Sequence, residues 1–409
     1  MQTHLSPEFE RSPEAQAAAA ILRKCVHCGF CNATCPTYQL LGDELDGPRG
    51  RIYLIKQVLE GAAVTRSTQQ HLDRCLTCLN CQTTCPSGVE YGHLVDIGRH
   101  LVEERVARPP LDKALRWVIK EGLTSRLFAP AMRLGKILRA LLPRILKDKV
   151  PARSGERAHA LSARSQPHKV LMLQGCVQPS MMPNIDAAAA RVLDGAGIQT
   201  LYAAGSGCCG ALRTHLSDRS GGLADMRRNI DAWIPMLESG EVEAIVSSAS
   251  ACALAIKEYA HALADDIQYR DAAARVSAAA RDLSELLPDL VPALKDRVRP
   301  GATRVAFHPP CTLQHGLKLR GGVEAHLRTL GFDLTAACAE SHMCCGSAGT
   351  YSILQPDLAK QLRDRKLGNL AQLEPQCIVS ANIGCIQHLQ SGTATRVAHW
   401  IELLDEALV

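Results

Sequence analysis

At 409 residues the chain exceeds what one hydrophobic core usually supports, about 250 to 300 residues, so more than one domain is expected. A formal net charge of +5 with 21% charged and 4% aromatic residues gives neither a polybasic surface nor a base-stacking one, and no nucleic-acid partner is expected. Met1 to Glu14 carries Glu8, Glu10 and Glu14 without an apolar segment, so no secretory signal is expected there, and no uninterrupted apolar stretch approaches the ~18 residues of a membrane span. A cytoplasmic setting follows, in which the 18 cysteines stay reduced and serve as ligands rather than disulfides.

An Ala-rich helix expected over residues 15–24 leads into Cys25-x2-Cys28-x2-Cys31-x3-Cys35-Pro36, and the same grammar returns as Cys75-x2-Cys78-x2-Cys81-x3-Cys85-Pro86. This is the ligand spacing of a pair of 4Fe-4S clusters. The first three thiols of a copy can wrap one cube, while the fourth, followed by Pro, is carried away and normally ligates the partner cluster. The expected sets are Cys25, Cys28, Cys31 and Cys85 on one cluster and Cys75, Cys78, Cys81 and Cys35 on the other. A zinc ribbon needs only two C-x2-C pairs and gives no reason for the third and fourth Cys in fixed phase, twice over. The copies are separated by about forty residues that include a helical pattern over Arg51–Glu60, with Ile52, Ile55, Val58 and Leu59 on one side. That insertion is far longer than a compact β-type ferredoxin needs, so residues 1–110 are expected to form an α-helical ferredoxin domain.

Residues 111–166 change character. Leu123, Leu127, Met132, Leu134, Ile137, Leu138, Leu141 and Ile145 are threaded with Arg126, Arg133, Lys136, Arg139, Arg144, Lys147 and Lys149, a basic amphipathic connector almost free of acid. Such a segment can lie on an anionic membrane surface or pack on a neighbouring domain or subunit. A polar linker over Pro151–Gln166 follows.

The remainder is a repeat revealed by its cysteines. In residues 167–295 a strand over Lys169–Leu173 ends at Cys176, a helix spans Ile185–Leu193, a strand over Gln199–Ala203 leads to Cys208-Cys209-Gly210, a helix covers Leu223–Leu237, and a strand over Ala244–Ser248 leads to Cys252. In residues 296–409 the same order runs Arg304–Phe307, Cys311, helix Val323–Leu330, strand Phe332–Ala336, Cys344-Cys345-Gly346, helix Pro356–Leu373, strand Cys377–Ser380 and Cys385. Alternating strands and helices imply two α/β modules with parallel sheets and cysteines at the carboxyl ends of strands. Cys176, Cys208, Cys209 and Cys252 form one candidate four-thiolate set and Cys311, Cys344, Cys345 and Cys385 the other, for an additional iron-sulfur cluster or zinc; the alternative is buried Cys pairs acting as small core residues. Gly210 and Gly346 suit the tight turn that lets adjacent thiols converge. Gly205-x-Gly207-x-x-Gly210 formally matches a dinucleotide fingerprint, with Asp225 or Asp231 as the acid, but the second module loses its first two glycines and keeps the thiols, so a nicotinamide site is not expected. Cys338 and Cys377 fall outside both sets, and His308 and His342 flank candidate ligands as hydrogen-bonding neighbours. No catalytic acid, base or nucleophile is expected on this chain.

Over nearly its whole length the chain resembles the iron-sulfur subunits of glycolate oxidase, also called glycolate dehydrogenase. The resemblance rests on Cys25-Val-His-Cys-Gly-Phe-Cys-Asn-Ala-Thr-Cys35-Pro-Thr-Tyr38, Gly47-Pro-Arg-Gly-Arg51, Cys75-Leu-Thr-Cys-Leu-Asn-Cys-Gln-Thr-Thr-Cys85-Pro and the two Cys-Cys-Gly modules. It implies an electron-transfer subunit beside an FAD-containing partner that oxidises glycolate to glyoxylate, a quinone-type acceptor, and a peripheral position on the cytoplasmic face of the inner membrane. Related subunits serve lactate and glycerol 3-phosphate dehydrogenases, which is the alternative donor assignment; a redox- or metal-responsive interaction protein without turnover is the alternative of another class. The modules are also similar to those of heterodisulfide reductase, whose C-x2-C endings help hold noncubane clusters. Here Ala249 and Asn382 replace the first Cys of that ending, so noncubane chemistry does not carry over.

Overall fold

The computed structural model describes residues 1–409 apart from 126, 144–146, 148, 152–164 and 336. Most of the expected linker Pro151–Gln166 therefore lies outside the described residues, as do Arg126, Arg144 and Ile145 of the basic segment and Ala336 of an expected strand.

Residues 1–110 contain helices and loops and no strand. Helix α1 (Pro13–Arg23) starts at Ser12, whose Oγ accepts from the Ala15 amide, and Pro13 suits the first turn because its missing N–H is one that a helix start leaves unused. Short helices α2 (Phe30–Ala33) and α3 (Pro36–Leu41) grow from the first cysteine loop, and α6 (Asn80–Thr84) from the second. Between them run α4 (Pro48–Leu59) and α5 (Arg66–Asp73), and α7 (Tyr91–Arg105) follows. Leu22 on α1, Ile55 and Leu59 on α4, Leu72 on α5 and Leu94 on α7 close one buried core between the longer helices, which fixes both cysteine loops on the same side of it.

Among its described residues the connector contains helices α8 (Pro110–Thr124) and α9 (Phe128–Ile137) and a 3-10 turn over Arg139–Leu141. It docks through its charges. Arg116 on α8 and Arg108 just before it both reach Asp73 on α5, at 3.1 and 2.7 Å, while Lys120 reaches Asp218 at 2.9 Å and Glu121 receives Arg213 at 2.9 Å. Leu111, Leu115 and Val118, which share the opposite face at helical spacing, are 85%, 45% and 56% exposed. Ile119 is buried beside these ion pairs, but most of the apolar face of α8 points outward, unlike that of a usual surface helix.

The two modules carry parallel sheets. Strands β1 (His168–Met172), β2 (Ile198–Leu201), β3 (Ala244–Ser247) and β4 (Ala280–Asp282) pair in the order β2-β1-β3-β4. Strands β5 (Val305–Phe307), β6 (Cys377–Ser380) and β7 (Arg396–His399) pair as β5-β6-β7. The strand expected over Phe332–Ala336 reduces to a parallel bridge of Leu334 to Val305, backed by backbone bonds from Val305 N to Asp333 O and from Thr335 N to Val305 O. It occupies the place of β2, so the two sheets share one order. The expectation omitted β4 and β7, the outer strand of each module.

One core runs through both modules. The helix after β7, Trp400–Glu406, packs on Asn184–Gly195 of the other module, and reciprocally Leu287–Leu294 packs on Gly322–Thr329. Arg191 and Asp405 add a two-pronged ion pair at 2.8 and 2.7 Å, and His399 Nε2 bonds the carbonyl of Ser248 at 2.9 Å. Each module thus lends its last helix to its neighbour. No helix among the described residues is long and apolar enough to cross a membrane.

Candidate metal centres

Both cysteine loops turn by the same unusual backbone. His27 and Gly29 in the first copy, and Thr77 and Leu79 in the second, take positive φ of 58°, 86°, 51° and 60° at matching positions. Such conformations are costly for His, Thr and Leu and persist where the surroundings over-determine them. They curl the loop about its own thiols: the Thr77 amide donates to Cys75 Sγ at 3.4 Å. Cys35 and Cys85 are extended, and each is followed by Pro, so the fourth thiol leaves its own loop.

Two cavities result. Cys25, Cys28, Cys31 and Cys85 line one, and Cys35, Cys75, Cys78 and Cys81 line the other. The fourth Cys of each copy lies in the cavity of the other, and Cys81 also reaches the rim of the first. Burial, then crowding by Cys25, pushes the Cys31 thiol up to about 11; burial, with Cys78 and Cys75 beside it, raises Cys81, and burial with Cys311 beside it raises Cys78. Thiols packed this way resist ionising together unless a cation compensates them, which is the chemistry of a metal-thiolate site. The donor sets fit 4Fe-4S centres: four converging sulfurs, with Tyr91 Oη donating to Cys75 Sγ at 3.6 Å.

The cavities differ in surroundings. Beside the first, Cys28 is exposed and flanked by Val26 and Phe30, 68% and 62% exposed. The second faces inward. Leu76 and Cys78 share an apolar cluster with Tyr351, Cys344 and Cys311, Asn80 Nδ2 donates to the His342 carbonyl at 3.3 Å, and Thr83 Oγ1 meets His315 Nδ1 at 2.9 Å.

In each module the four thiols meet in one line. Cys176 touches Cys208, Cys208 touches Cys209, and Cys209 touches Cys252; Cys311, Cys344, Cys345 and Cys385 follow in the same order. Cys176 and Cys311 follow β1 and β5, Cys252 and Cys385 lie in the first turn of the helices after β3 and β6, and the Cys208-Cys209 and Cys344-Cys345 pairs lie in loops. Gly210 and Gly346 sit at φ 86° and 87°, and an added Cβ would fall 2.8 Å from the Gly222 carbonyl and 2.5 Å from that of Ala359. Glycine is required there on both counts. His308 is buried against Cys345 with Nδ1 on Ser380 Oγ at 3.0 Å, and His342 contributes its carbonyl, which also meets His315 Nε2 at 2.9 Å. Cys338 and Cys377 are buried among core side chains. In the decoy glycine stretch the Gly207 amide is taken by Asn229 Oδ1 at 2.8 Å.

Asn229 and Lys366 escaped the sequence reading. Asn229, fully buried, also donates to the Cys208 carbonyl at 2.7 Å; Lys366, on the matching helix, donates to the Glu340 carbonyl at 2.6 Å. Aligning the two repeats by their thiols brings them to nearly the same place, 20 residues after Cys209 for Asn229 and 21 after Cys345 for Lys366.

Comparison with known proteins agrees with this architecture. The 4Fe-4S dicluster domain family matches residues 21–89, and the Cysteine-rich domain family matches residues 170–257 and 305–390. The chain is 53% identical to the glycolate oxidase iron-sulfur subunit of Escherichia coli (strain K12), over 100% of this chain and 99% of that protein. It is 28% identical to the probable glycolate oxidase iron-sulfur subunit of Bacillus subtilis (strain 168), over 94% of each. A lactate utilization protein A of Exiguobacterium sp. (strain ATCC BAA-1283 / AT1b) is 22% identical over 58% of this chain and 98% of its own length. With two cluster-type cavities, two cysteine-rich modules and full-length similarity, the chain belongs to the family of glycolate oxidase iron-sulfur subunits.

Proposed function

We propose that this chain carries electrons from an FAD-containing partner subunit, which oxidises glycolate to glyoxylate, toward a quinone-type acceptor. The observation that carries the reading is the exchange of fourth thiols between two four-cysteine cavities. Cys25, Cys28, Cys31 and Cys85 would hold one 4Fe-4S cluster and Cys75, Cys78, Cys81 and Cys35 the other, and such clusters, when bound, supply one-electron transfer without proton or group transfer. The chain's own residues set the surroundings. Cys25, Cys35, Cys75 and Cys81 are buried, keeping water from the inner sulfurs, while exposed Cys28 with Val26 and Phe30 leaves one edge open to a partner. The apolar contact of Cys78 with Cys311 and Cys344 joins the inner cavity to the second module, whose four thiols, like those of the first, suit a further cluster or zinc.

The outward stripe of α8 and the cations Arg133, Lys136 and Arg139 beyond it suit peripheral contact with the cytoplasmic face of an anionic membrane, where a quinone acceptor resides. The donor is favoured as glycolate over lactate by 53% against 22% identity to the relatives so named. Mixing the oxidised, cluster-loaded chain with its oxidised flavoprotein tests the reading: glycolate should bleach the cluster absorbance through that partner, and bleaching by lactate or glycerol 3-phosphate but not by glycolate contradicts the assignment.

A further inference from the structure

The two cluster cavities do not sit in the same electrostatic field. Arg51, on the first turn of α4, is 0% exposed and lines the inner cavity. Its Nε donates to the His71 carbonyl at 2.7 Å, both terminal nitrogens donate to Thr37 Oγ1 at 3.1 Å, and Nη1 stands 4.0 Å from Cys35 Sγ. Thr37 Oγ1 is itself 3.3 Å from that sulfur. The carboxylate nearest Arg51 is Asp46, also 0% exposed, with Oδ1 at 3.5 Å. Asp46 is shared: Arg74 Nη1 binds its Oδ2 at 2.7 Å and His71 Nδ1 its Oδ1 at 3.0 Å. The Asp43 carboxylate lies within 4.8 Å of the Asp46 and His71 ligand atoms, so the two guanidiniums face two carboxylates, and Arg51 is the cation set against the Cys35 sulfur in this water-poor cradle. A guanidinium does not lose its proton in proteins, so this charge is permanent.

The outer cavity has no buried guanidinium among its lining residues, although the partly exposed Met1 ammonium donates to the Cys25 carbonyl at 2.7 Å. Arg49 lines the cavity, but its Nε is engaged by Glu44 at 2.5 Å and its side chain is 36% exposed, so its field is balanced and screened by water. Cys31 Sγ at the outer cavity has the Asn32 amide oxygen at 3.9 Å, whereas at the inner one Tyr91 Oη and the Thr77 amide donate to Cys75 Sγ, and Thr37 Oγ1, whose proton goes to the Asp46 carbonyl at 2.7 Å, holds the Arg51 guanidinium beside Cys35.

We propose that Arg51, with Thr37, is a positioning residue that raises the reduction potential of the inner cluster above that of the outer one, so that electrons run from the exposed Cys28 edge inward toward the second module. The inference rests on the ligand sets given above. Reducing either centre adds one electron and makes it one unit more negative, so a buried cation favours the reduced inner cluster, as do hydrogen bonds to its sulfurs. The arrangement supplies a downhill direction within a single chain.

Potentiometric EPR titration of the full, cluster-loaded chain tests this, with signals assigned by Cys28→Ser and Cys78→Ser. In the unmodified chain the inner signal should have the higher midpoint. In Arg51→Gln its one-electron reduction equilibrium should become at least tenfold less favourable, 59 mV, with the outer signal unmoved. Arg51→Lys, which keeps the charge, should recover at least half of the change. An inner midpoint that stays put, a common shift of both signals, or a Lys variant as impaired as Gln would overturn the proposal. Should Arg51→Gln not hold its cluster, Thr37→Val decides: a several-fold shift of the inner signal in the same direction supports the proposal, and no shift refutes it. Iron and sulfide near eight atoms each in the unmodified chain keep the ligand reading standing in either event, whereas a deficit there removes that reading instead.

Discussion

Truncating the outward face of α8 should release the chain from anionic membranes without unfolding it. Leu111, Leu115 and Val118 are 85%, 45% and 56% exposed, and α8 is tethered by ion pairs on its other side. Fully burying a Leu or Val contributes about 1.5 to 3 kcal/mol. Weighted by those exposed fractions, transfer of the three side chains into the headgroup boundary is worth about 4 kcal/mol, of which Leu111→Ala/Leu115→Ala/Val118→Ala removes roughly 3 kcal/mol, since an Ala methyl remains. That corresponds to about a hundredfold loss of affinity. Substitutions on an exposed face usually cost within about 0.5 kcal/mol of stability, so thermal midpoint and iron content should hold. Co-sedimentation with phosphatidylserine-containing vesicles is the assay, and binding should also weaken with salt because the flanking cations contribute about 1 kcal/mol each near such a surface. Unchanged affinity of the triple variant, or binding indifferent to both salt and lipid charge, would refute the reasoning and leave α8 as a surface for another protein.

Three further expectations concern the modules. Gly346→Ala adds a Cβ 2.5 Å from the Ala359 carbonyl at φ 87°, which should cost about 3 kcal/mol or more in denaturant unfolding, whereas Gly368→Ala, with nothing within 4 Å of the new atom, should be neutral or slightly stabilising; equal effects would contradict the turn argument. Asn229→Ala leaves the Cys208 carbonyl and the Gly207 amide without their buried partner and should destabilise by about 2 to 4 kcal/mol, measured the same way; a loss below about 0.5 kcal/mol would mean that the loop holds itself. Burial drives His399 down to about 3, below its ordinary 6.5, outweighing the Ser248 carbonyl on Nε2, which favours the proton. The unfolded chain therefore takes up a proton that the folded one refuses. Stability is unaffected above pH 6.5 and falls as pH drops from 6.5 toward about 3, by about 1.4 kcal/mol per unit. Asp282, raised by burial to about 7, works in the opposite sense, gaining stability as pH falls through about 7 toward its ordinary 3.8. The difference between unfolding curves of the unmodified chain and His399→Gln isolates the histidine: the variant should lose that acid slope, and parallel curves would contradict the assignment.

Much of this architecture is legible in local sequence because the motifs dictate their own geometry. Cys377–Ser380 is the expected strand, and Asn184–Gly195 and Pro356–Ala371 contain or nearly match expected helices. What escaped depends on partners distant in the chain. Strands β4 and β7 are three and four residues long and each carries an Arg, so no apolar run announces them; pairing with β3 and β6 makes them strands. The pattern of 111–149 marks an amphipathic connector but not which face turns inward, since Asp73, Asp218 and Arg213 decide it. Arg51 is visible in Gly47-Pro-Arg-Gly-Arg51, yet its cradle is assembled from Thr37, Asp46 and His71 on three other segments. Both four-thiol sets of the modules could be listed from their phase, whereas the contact of the second set with the inner cavity through Cys78 and Tyr351 is tertiary.

The central claim is that eight N-terminal cysteines hold two clusters with exchanged fourth ligands. Anaerobic iron, sulfide and EPR analysis of the full chain and of Cys35→Ser and Cys85→Ser tests it most directly. The unmodified chain should hold at least about eight iron atoms, any excess residing in the modules. Cys35→Ser should perturb the signal shared with Cys75, Cys78 and Cys81, and Cys85→Ser the signal shared with Cys25, Cys28 and Cys31. Fewer than about eight iron atoms, or perturbation of each variant's own-loop cluster instead, would contradict the account.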